Sequence, residues 1–392
     1  MPMFEYFEGN YTWNMAVNLA VAMGGSIGDI DDASRALRSV AAKNDDDAAR
    51  EWFTNWNGLG EKLERLAKAD EAKGRTISAG EKYRRAAIYY IQAERMQGPH
   101  FEPRKAAFAK FLDCFGRHIA LTGKSWQRCE VPYKGVGLPA LYVPAQGLKP
   151  GQRAPCMVHF DGLDVNKEII AMLGVPDALA QRGIATLVVD NPGVGESLRL
   201  RGLHNGPNAE EPAAASYDFL EKRGDVDPKK MGIMALSLGG FHAPRVAAFE
   251  PRTACAVAWG AQYDWGETQR GRRDNPNSAL PVPHYWDHVG WVFGAKGIDA
   301  IVEASAKISL RGILDRIQCP ILVLHGENDR QIPLDFARRV VAECVNSPRA
   351  ELEVMKLADG GAEHCGIDNV APTRERMADW IAETLGGRVG VA

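Results

Sequence analysis

The chain has 392 residues, of which 45% are hydrophobic and 25% charged, with a formal net charge of −3. These values are ordinary for a globular protein, and the length suffices for a large α/β domain plus a second unit. Because lysine and arginine are scattered among the acids, the charge pattern gives no basis for nucleic acid or an anionic membrane as partner.

Cysteine usage and the start of the chain bear on the compartment. Seven cysteines are spread singly, without a C-x-x-C pair, which indicates reduced thiols in a cytoplasmic protein. The first residues carry acids where a signal peptide needs a basic end. The apolar run from Met15 to Met23 is too short to span a bilayer. We therefore expect a soluble cytoplasmic protein.

The first third of the chain, residues 1–122, is predicted to be a helical domain. Apolar residues at helical spacing predict helices over Asp32–Ala42, Asp45–Ala69, Tyr83–Met96 and Arg104–Leu121. Ser78 and Glu81 have the spacing of a capping box ahead of the third helix. Pro99 and Pro103 separate the last two helices.

Residues 123–392 have the texture of an α/β domain, because short apolar runs alternate with helical stretches. Runs that are apolar almost throughout predict a mostly parallel sheet flanked by helices on both faces. The first two strands are expected to form an antiparallel edge hairpin, and the last, which alternates, to lie near an edge. The predicted strands are Arg128–Tyr133, Ala140–Val143, Cys156–Phe160, Ala185–Val189, Gly232–Ala235, Ala254–Trp259, Ile321–Leu324 and Leu352–Leu357.

Between residues 262 and 310 this rhythm lapses. We interpret the stretch as a lid or insertion over the carboxyl-terminal edge of the sheet, where such folds bind ligands. Its aromatic residues Trp265, Tyr285 and Trp286 are then candidates for substrate binding. The alternative is an ordinary excursion whose aromatic side chains pack against the body of the domain.

The segment from Met231 to Gly240 has the layout of a nucleophile elbow. A buried strand leads to Ser237, which two glycines and a helix starting near Phe241 follow. Such a turn holds a serine hydroxyl clear of the sheet. The usual pattern is G-x-S-x-G, and Ala235 stands in place of the first glycine. The alternative is an ordinary connection in which Ser237 caps the helix.

An acid and a base follow Ser237 in the order that α/β-hydrolases use. Asp329 comes after the strand Ile321–Leu324, and His364 lies in a glycine-containing loop after Leu352–Leu357. A serine nucleophile needs such a base to take its proton and an acid to orient the base. Ser237, Asp329 and His364 are therefore the predicted catalytic triad.

Alternatives to this triad remain open at the level of sequence. Asp329 could stabilise a turn ahead of Pro333, with Glu327 or Asp264 as the acid instead. His364 could be a surface histidine. His325 is better explained as structural, because it falls at the strand end before the loop opens. His242 lies on the helix after the elbow, where we expect it to face away from the hydroxyl.

The oxyanion formed in acyl transfer needs preorganised N–H donors. The amide of Leu238, just after the nucleophile, is one candidate. Gly162 and Leu163, in the loop after Cys156–Phe160, are the others. A charged Asp161 or Glu168 near the oxyanion would be repulsive, so we expect these acids to bond to backbone groups or to Lys167.

We predict neither a cofactor nor a metal. The segment Asp190–Ser197 contains glycines, but it lacks G-x-G-x-x-G and any Gly-Lys-Ser/Thr ending, so a structural turn explains it better than a nucleotide loop. The chain also lacks H-E-x-x-H and clustered Cys/His ligands.

In combination these stretches resemble an α/β-hydrolase group. It includes the fermentation-respiration switch protein, 2,6-dihydroxypseudooxynicotine hydrolase and fungal polyketide-shortening hydrolases. The resemblance covers most of residues 155–385 and is much looser in the helical part. It is carried by Asp161-Gly-Leu, Asn166-Lys-Glu168, Asp190–Glu196, Ser237–Gly240, Glu250-Pro-Arg252, Trp259-Gly260, Cys319-Pro320, Leu324-His-Gly326, His364-Cys365 and Arg376–Trp380.

The resemblance implies a helical cap ahead of the catalytic domain, a homodimer, and a pocket between cap and sheet. Trp13 would then be a pocket candidate, together with Tyr11, Trp52 and Trp56, although aromatic residues in a helical unit are more often core. It also implies hydrolysis of a carbon–carbon bond next to a ketone, or of an ester. The departure at Ala235 weakens the match at the elbow without breaking it.

We therefore expect a serine hydrolase acting on a small carbonyl compound, with a preference for carbon–carbon cleavage in an aromatic or polyketide-like substrate. An esterase with the same triad is the first alternative. A non-catalytic ligand-binding or regulatory protein on the same fold is the second.

Overall fold

A computed structural model describes residues 3–43, 45–275 and 277–390. The described residues divide into two compact units. One is helical and contains the chain from Met3 to Trp126 together with Ala279–His288. The other contains the sheet and is formed by Gln127–Ser278 and the chain from Val289 onward. The chain therefore passes from the first unit to the second between Trp126 and Gln127.

Among the described residues, the helical unit has five α-helices before residue 126: α1 (Tyr11–Ala22), α2 (Ile27–Ser34), α3 (Asp46–Glu71), α4 (Thr76–Arg95) and α5 (Pro103–Thr122). The start of α3 follows from its N-cap, because the Asp45 carboxylate accepts the Ala48 N–H at 2.8 Å. Pro103 begins α5, a position where its missing N–H costs nothing.

Two details of the helical unit differ from the sequence-based expectation. The helix predicted over Asp32–Ala42 is divided, because α2 ends at Ser34 and a 3₁₀ turn follows over Ala36–Ser39. Ser78 and Glu81 do not form a capping box, because α4 begins at Thr76 and both lie inside it. A capping-box pattern does not mark the start of a helix when the helix begins before it, as α4 does.

An aromatic core holds the helical unit together. The ring of Trp13 lies 5.0 Å from that of Phe7 and 5.0 Å from that of Trp52, centroid to centroid. Trp52 in turn stacks on Trp56 at 4.8 Å. Large aromatic side chains bury much apolar area at a low entropy cost, so this cluster accounts for much of the stability of a unit built from separate helices.

Eight strands among the described residues form one sheet: β1 (Gln127–Tyr133), β2 (Val136–Val143), β3 (Ala154–Phe160), β4 (Ala185–Val189), β5 (Val226–Leu236), β6 (Thr253–Trp259), β7 (Ile321–Gly326) and β8 (Ala350–Met355). Their spatial order is β1-β2-β4-β3-β5-β6-β7-β8. β2 pairs antiparallel with both β1 and β4, and the remaining pairs are parallel. The α/β fold and its antiparallel edge hairpin are confirmed.

The burial of the strands explains the sequence patterns from which they were predicted. Every residue of β3, β4 and β7 is buried, as expected where helices cover both faces. β8 lies at an edge and is mostly half-buried, which explains its alternating pattern. It ends at Met355, two residues before the predicted end.

The connections after β3 are helical: α6 (Lys167–Met172), α7 (Val175–Gln181), α8 (Gly195–Arg199), α9 (Glu210–Glu221), α10 (Gly239–Phe249), α11 (Trp265–Asp274), α12 (Tyr285–Phe293), α13 (Ile298–Ser305), α14 (Leu334–Glu343) and α15 (Val370–Leu385). α7 packs on β4, α10 on β5 and β6, and α15 on β6 and β7. None of the described helices is both long and apolar enough to cross a membrane.

The stretch from 262 to 310 contributes to both units. α11 and α13 pack together in the sheet unit. Residues 279–288 belong to the helical unit, where the Thr12 hydroxyl donates to the Leu280 carbonyl at 2.7 Å. A role for this stretch as a lid stays a prediction.

Candidate active site

Ser237 lies at a strained turn between β5 and α10. Its φ is +59°, a left-handed conformation that non-glycine residues seldom adopt. The Ser237 N–H donates to the Trp259 carbonyl of the neighbouring strand at 2.8 Å, which holds the turn against β6. Ser237 is half-buried, whereas Leu236 and Leu238 on either side are buried. The turn therefore presents the hydroxyl while its neighbours are enclosed.

The glycines after Ser237 are required by close packing. A Cβ on Gly239 would lie 2.6 Å from the Ala235 Cβ, and one on Gly240 would lie 1.9 Å from the Gly260 carbonyl oxygen. Both distances are too short for any side chain. The turn thus accommodates the methyl group of Ala235 because position 239 has none.

His364 and Asp329 complete a continuous hydrogen-bonded chain with Ser237. The His364 Nε2 lies 2.8 Å from the Ser237 Oγ, and its Nδ1 lies 2.8 Å from the Asp329 Oδ2. Asp329 also accepts the backbone N–H groups of Gln331 at 2.7 Å and Ile332 at 3.0 Å. With the proton on Nδ1 donated to Asp329, the Nε2 can accept the serine proton.

The charge of Asp329 sets the proton affinity of this pair. Burial by itself would lower the pKa of His364, but the adjacent Asp329 carboxylate raises it well above its usual value. Burial would raise the pKa of Asp329, yet the interaction with His364 holds that pKa below its usual value. An imidazole with an increased proton affinity and a fixed orientation is suited to act as a general base.

The alternative acids and bases have other hydrogen-bond partners, although the His325 Nε2 lies 3.8 Å from the Asp329 Oδ2. Glu327 accepts the Leu357 N–H at 2.8 Å, and Asp264 caps α11 through the Glu267 N–H at 2.7 Å. The ring of His325 is held between the Ala261 N–H and the Ile332 carbonyl. Their hydrogen bonds are those of structural residues.

His242 points its Nε2 toward the Asn205 side-chain amide, at 3.4 Å. Its ring lies beside those of Phe160 and Phe241. Burial lowers the pKa of His242 to about 4, so the ring is neutral near pH 7. None of its described contacts involves the Ser237 hydroxyl.

Two of the three proposed oxyanion donors, Gly162 and Leu238, lie at the elbow. A Cβ on Gly162 would lie 3.0 Å from the Ser237 Cβ and 3.5 Å from the Leu238 nitrogen, so the two backbone segments are in direct contact. Leu163 follows in the same loop and is buried. Leu238 precedes the first turn of α10, where N–H groups have no partner within the helix. Their role as donors stays a prediction.

A buried ionic cluster next to this loop was only partly anticipated. The Lys167 ammonium contacts Glu168 at 2.7 Å, as expected, and also Asp190 and Glu196. The expectation for Asp161 was wrong, because both of its carboxyl oxygens are buried without a hydrogen-bond partner among the described residues. Burial, with Asp190 and Glu168 nearby, raises the pKa of Asp161 well above its usual value, which favours a neutral carboxylic acid.

Cys365 is a second neighbour of the triad that sequence reasoning passed over. Its Sγ lies 3.7 Å from the His364 Nε2 and 3.5 Å from the Trp259 carbonyl. Its φ is +50°, a second left-handed residue near the elbow. The signal available in the sequence was its position directly after the predicted base.

The substrate-binding candidates are all aromatic and differ in surroundings. Trp265 begins α11 in the sheet unit, and its buried indole N–H has no partner among the described residues. Tyr285 and Trp286 lie in the helical unit with ring centroids 5.4 Å apart. Trp13 lies in the core of that unit, enclosed by Phe7 and Trp52, so packing alone explains its burial.

The described residues form neither a metal site nor a disulfide. Within the described ranges, no group of three or more His, Cys, Asp or Glu side chains is arranged to hold a metal ion. The seven cysteines, all in the part of the chain that the structure describes, are free thiols.

The fold and this arrangement are those of α/β-fold serine hydrolases. The sequence model of the prolyl oligopeptidase family matches residues 174–388, which is more than half of the chain and includes Ser237, Asp329 and His364. The chain belongs to this family and is an α/β-fold serine hydrolase.

Two relatives align along most of their length. A 2,6-dihydropseudooxynicotine hydrolase of Paenarthrobacter nicotinovorans is 28% identical over 344 residues, covering 85% of this chain and 84% of the relative. The 20-hydroxy-prefusarin hydrolase FUS2 of Gibberella moniliformis is 26% identical over 382 residues, covering 88% and 91%. The resemblance to this α/β-hydrolase group is confirmed.

Solved structures of similar fold support this assignment. The crystal structure of the 2,6-dihydroxy-pseudo-oxynicotine hydrolase matches with a TM-score of 0.73 and 25% identity, covering 94% of this chain and 95% of that one. The structure of wild-type AbyA5 matches with a TM-score of 0.70 at 19% identity, covering 95% of each chain, a likeness of fold alone.

Proposed function

We propose that this serine hydrolase cleaves a carbon–carbon bond next to a ketone in an aromatic or polyketide-like substrate, with Ser237, His364 and Asp329 as its triad. The observation that carries the triad is the unbroken chain of hydrogen bonds from the Ser237 Oγ through His364 to Asp329. The preference for carbon–carbon cleavage rests on the resemblance to the nicotine-pathway and fungal hydrolases.

In the first half-reaction, the Ser237 Oγ forms a bond to the carbonyl carbon while its proton passes to the His364 Nε2. The carbonyl electron pair moves to oxygen, where the amides of Leu238 and of Gly162 or Leu163 would stabilise the oxyanion. When the C=O bond re-forms, the adjacent carbon–carbon bond breaks. The leaving carbon keeps the electron pair and takes the proton from His364. The leaving group must therefore be stabilised, as an enolate or an electron-rich ring is.

In the second half-reaction, water attacks the acyl-Ser237 carbonyl and gives a proton to the His364 Nε2. The intermediate then collapses to a carboxylic acid, and the Ser237 Oγ recovers its proton. Asp329 stays ionised throughout and stabilises the imidazolium, which the raised pKa of His364 supports.

Ester hydrolysis with the same triad is the second candidate. It asks less of the site, because His364 needs only to protonate an alkoxide as it leaves. The two reactions are separated by comparing an aryl ester with an aryl β-diketone that has the same acyl group. We expect the higher kcat/KM on the diketone. A higher value on the ester would identify an esterase.

The triad itself is tested with Ser237→Ala on both substrates. Removal of the nucleophile from a Ser-His-Asp enzyme costs about 10⁶-fold in kcat, so turnover should fall to background while the melting temperature changes little. Retained activity would overturn the triad. If the unaltered protein turned over neither substrate yet bound a small molecule, it would be a binding protein on a hydrolase fold.

Substrate contacts are a further part of the proposal. Trp265 has the strongest support, because its indole N–H lacks a partner among the described residues and could donate to a substrate oxygen. Tyr285 and Trp286 remain candidates, and Trp13 has the weakest support. Trp265→Phe should raise KM several-fold with a smaller change in kcat. An unchanged KM would remove Trp265 from the binding site.

We also propose that the protein is a cytoplasmic homodimer with residues 1–122 as a cap to a catalytic domain over 123–392. The homodimer and the cap follow from the resemblance, and the compartment from the dispersed free thiols. Light scattering coupled to gel filtration tests the dimer, since a mass near the 42.8 kDa of one chain would contradict it. Cell fractionation tests the compartment.

A further inference from the structure

The loop that carries two of the proposed oxyanion donors is held at both ends by consecutive residues after β4. At its start, the Asp161 N–H donates to the Asn191 side-chain oxygen at 2.8 Å. At its end, the Lys167 N–H donates to the Asp190 Oδ1 at 2.9 Å. The position of residues 162–166 thus depends on where Asp190 and Asn191 are held.

Asp190 is itself held by a set of buried bonds. Its Oδ2 accepts the Lys167 ammonium at 2.8 Å and the Glu196 backbone N–H at 2.8 Å, and its carbonyl accepts the Ser197 hydroxyl at 2.5 Å. A Cβ on Gly195 would lie 2.1 Å from the Asp190 carboxylate, so the turn closes tightly over that group. These contacts leave Asp190 little freedom to move.

Lys167 provides the charge that makes this arrangement possible. Its ammonium lies 2.8 Å from Asp190, 2.6 Å from Glu196 and 2.7 Å from Glu168, and all four side chains are buried. Arg128, which is 53% exposed, also pairs with Glu196 and lies 4.0 Å from Glu168, so Lys167 is the cation in direct contact with Asp190. Without the Lys167 ammonium, the buried Asp190 carboxylate would face two neighbouring carboxylates and lose that pairing. Repulsion would then displace Asp190, the group that anchors the end of the loop.

We propose that Lys167 is a positioning residue, whose buried ammonium holds Asp190 and thereby fixes the oxyanion loop of Gly162 and Leu163 against the Ser237 elbow. This role rests on the proposed serine hydrolase mechanism. Lys167 does not touch the reacting atoms. It acts through the alignment of backbone N–H groups, and a misplacement of about 1 Å in such groups can cost about 10²-fold in rate.

The test compares Lys167→Met with the unaltered protein on 4-nitrophenyl acetate. We expect kcat to fall about 10- to 100-fold while KM changes less than about threefold, because oxyanion contacts act on the transition state rather than on bound substrate. Loss of stability alone would lower the fraction of active protein without this change in the properties of each active site. Active sites are therefore counted by titration before kcat is calculated.

An aryl trifluoromethyl ketone provides the second measurement. The Ser237 Oγ adds to its carbonyl carbon, the hydroxyl proton passes to His364, and the carbonyl electron pair forms an oxyanion that mimics the intermediate. Its affinity for Lys167→Met should fall by about the same factor as kcat. Unchanged affinity and unchanged kcat in the folded variant would overturn the positioning role.

Arg182→Met is the control for loss of a cation at the other end of the sheet, in a more exposed ion pair. Arg182 also pairs with a carboxylate, Asp379 at 2.7 Å, but it lies just before β4, at the amino-terminal edge of the sheet and so opposite Ser237. This variant should keep kcat and inhibitor affinity within about twofold. An equal loss in both variants would assign the effect to general destabilisation and refute a role specific to Lys167.

If Lys167→Met does not fold, Glu196→Gln decides the question, because it keeps the shape of the side chain and weakens the contact with the Lys167 ammonium, together with the ion pair to the half-exposed Arg128. We expect a 3- to 10-fold loss in kcat and in inhibitor affinity, and no loss in either would refute the proposal. The two hypotheses fail separately. Activity retained by Ser237→Ala refutes the triad, whereas full activity of the Lys167 and Glu196 variants in a Ser237-dependent enzyme refutes only the positioning role.

Discussion

The helical unit and the sheet unit each bury an ion pair, and the two pairs differ in what else they touch. In the helical unit, Arg104 and Glu94 are 4% and 1% exposed, with the Arg104 Nη2 2.6 Å from the Glu94 Oε1. In the sheet unit, His364 and Asp329 are 8% and 1% exposed and 2.8 Å apart. Burial and distance alone do not distinguish the two pairs.

The two pairs differ in the further group to which the cationic side chain is hydrogen-bonded. Arg104 also donates to the Gln97 carbonyl at 3.2 Å, a backbone group that cannot react. His364 turns its second nitrogen to the Ser237 hydroxyl, 2.8 Å away at a left-handed turn. A buried ion pair is therefore a site for chemistry only when it polarises a group that can form a new bond.

Removing one charge from each pair in turn tests whether the two pairs have different roles, and Asp329→Asn should have the largest effect. In Ser-His-Asp triads the same change costs about 10⁴-fold in kcat, because the imidazole loses its required tautomer. We expect a loss of that size in steady-state kinetics on an aryl ester. A loss below tenfold would show that Asp329 is not the orienting acid.

Arg104→Met should have the opposite effect, a large loss of stability with little change in kcat. Arg104→Met removes a buried cation from the Glu94 carboxylate, and breaking a buried pair costs about 3–5 kcal/mol of unfolding free energy. The kcat per folded molecule of the variant should stay within a few-fold of the original value, since no reacting atom is touched. Urea denaturation measures the first effect and active-site titration with kinetics the second. A large loss of kcat with unchanged stability would contradict the structural role.

The pH dependence of activity tests whether Asp329 raises the pKa of His364. His364 must be neutral to accept the serine proton, and Asp329 raises its pKa above the usual value of about 6.5. Activity should therefore be lost as the pH falls through a midpoint above that value. The residual activity of Asp329→Asn should have a lower midpoint. A wild-type midpoint at or below 6.5 would be inconsistent with the observed pair.

His159 contrasts with both ion pairs, because it is a buried titratable side chain whose ring nitrogens have no hydrogen-bond partner among the described residues. Burial lowers the pKa of His159 to about 3. Its ionisation in the unfolded chain favours unfolding at acid pH. Stability is thus fully present above about pH 6.5 and is lost as the pH falls from there toward 3.

His159→Leu should increase the unfolding free energy by about 1–3 kcal/mol at pH 7, because it removes an unsatisfied group from the core. Between pH 7 and pH 5 it should lose about 2 kcal/mol less than the original protein does. His159→Gln is the control, which removes the titration but keeps a polar group. Chemical denaturation at both pH values measures these differences. Equal pH slopes in all three proteins would disprove the assignment.

Much of the fold was predictable because helices cover the sheet on both faces. Strands buried on both sides appear as unbroken apolar runs, so β3, β4 and β7 were placed within a few residues of their bounds. Helix boundaries were less predictable. The break between Ser34 and Ala36 has no glycine or proline to mark it, and α4 begins before its apparent capping box.

The triad residues could be found because chemistry in this fold is confined to the ends of strands, and strands can be located from periodicity. The structure brings Ser237, His364 and Asp329 together, while their catalytic roles stay a prediction. The Lys167 cluster could not be found in the same way. Lys167 and Asp190 are 23 positions apart, and the sequence does not show whether such side chains face solvent or one another.

The α/β architecture, the serine hydrolase class and three candidate residues for its chemistry could be inferred from the sequence alone. Local patterns suffice for these inferences, because each strand, and each candidate residue at the end of a strand, is marked by the residues next to it in the chain. Three findings needed the folded structure: both carboxyl oxygens of Asp161 lack a hydrogen-bond partner among the described residues, the Lys167 ammonium contacts three carboxylates next to the oxyanion loop, and residues 279–288 belong to the helical unit. Burial and long-range pairing set the energies of charged groups, and both exist only once the chain has folded.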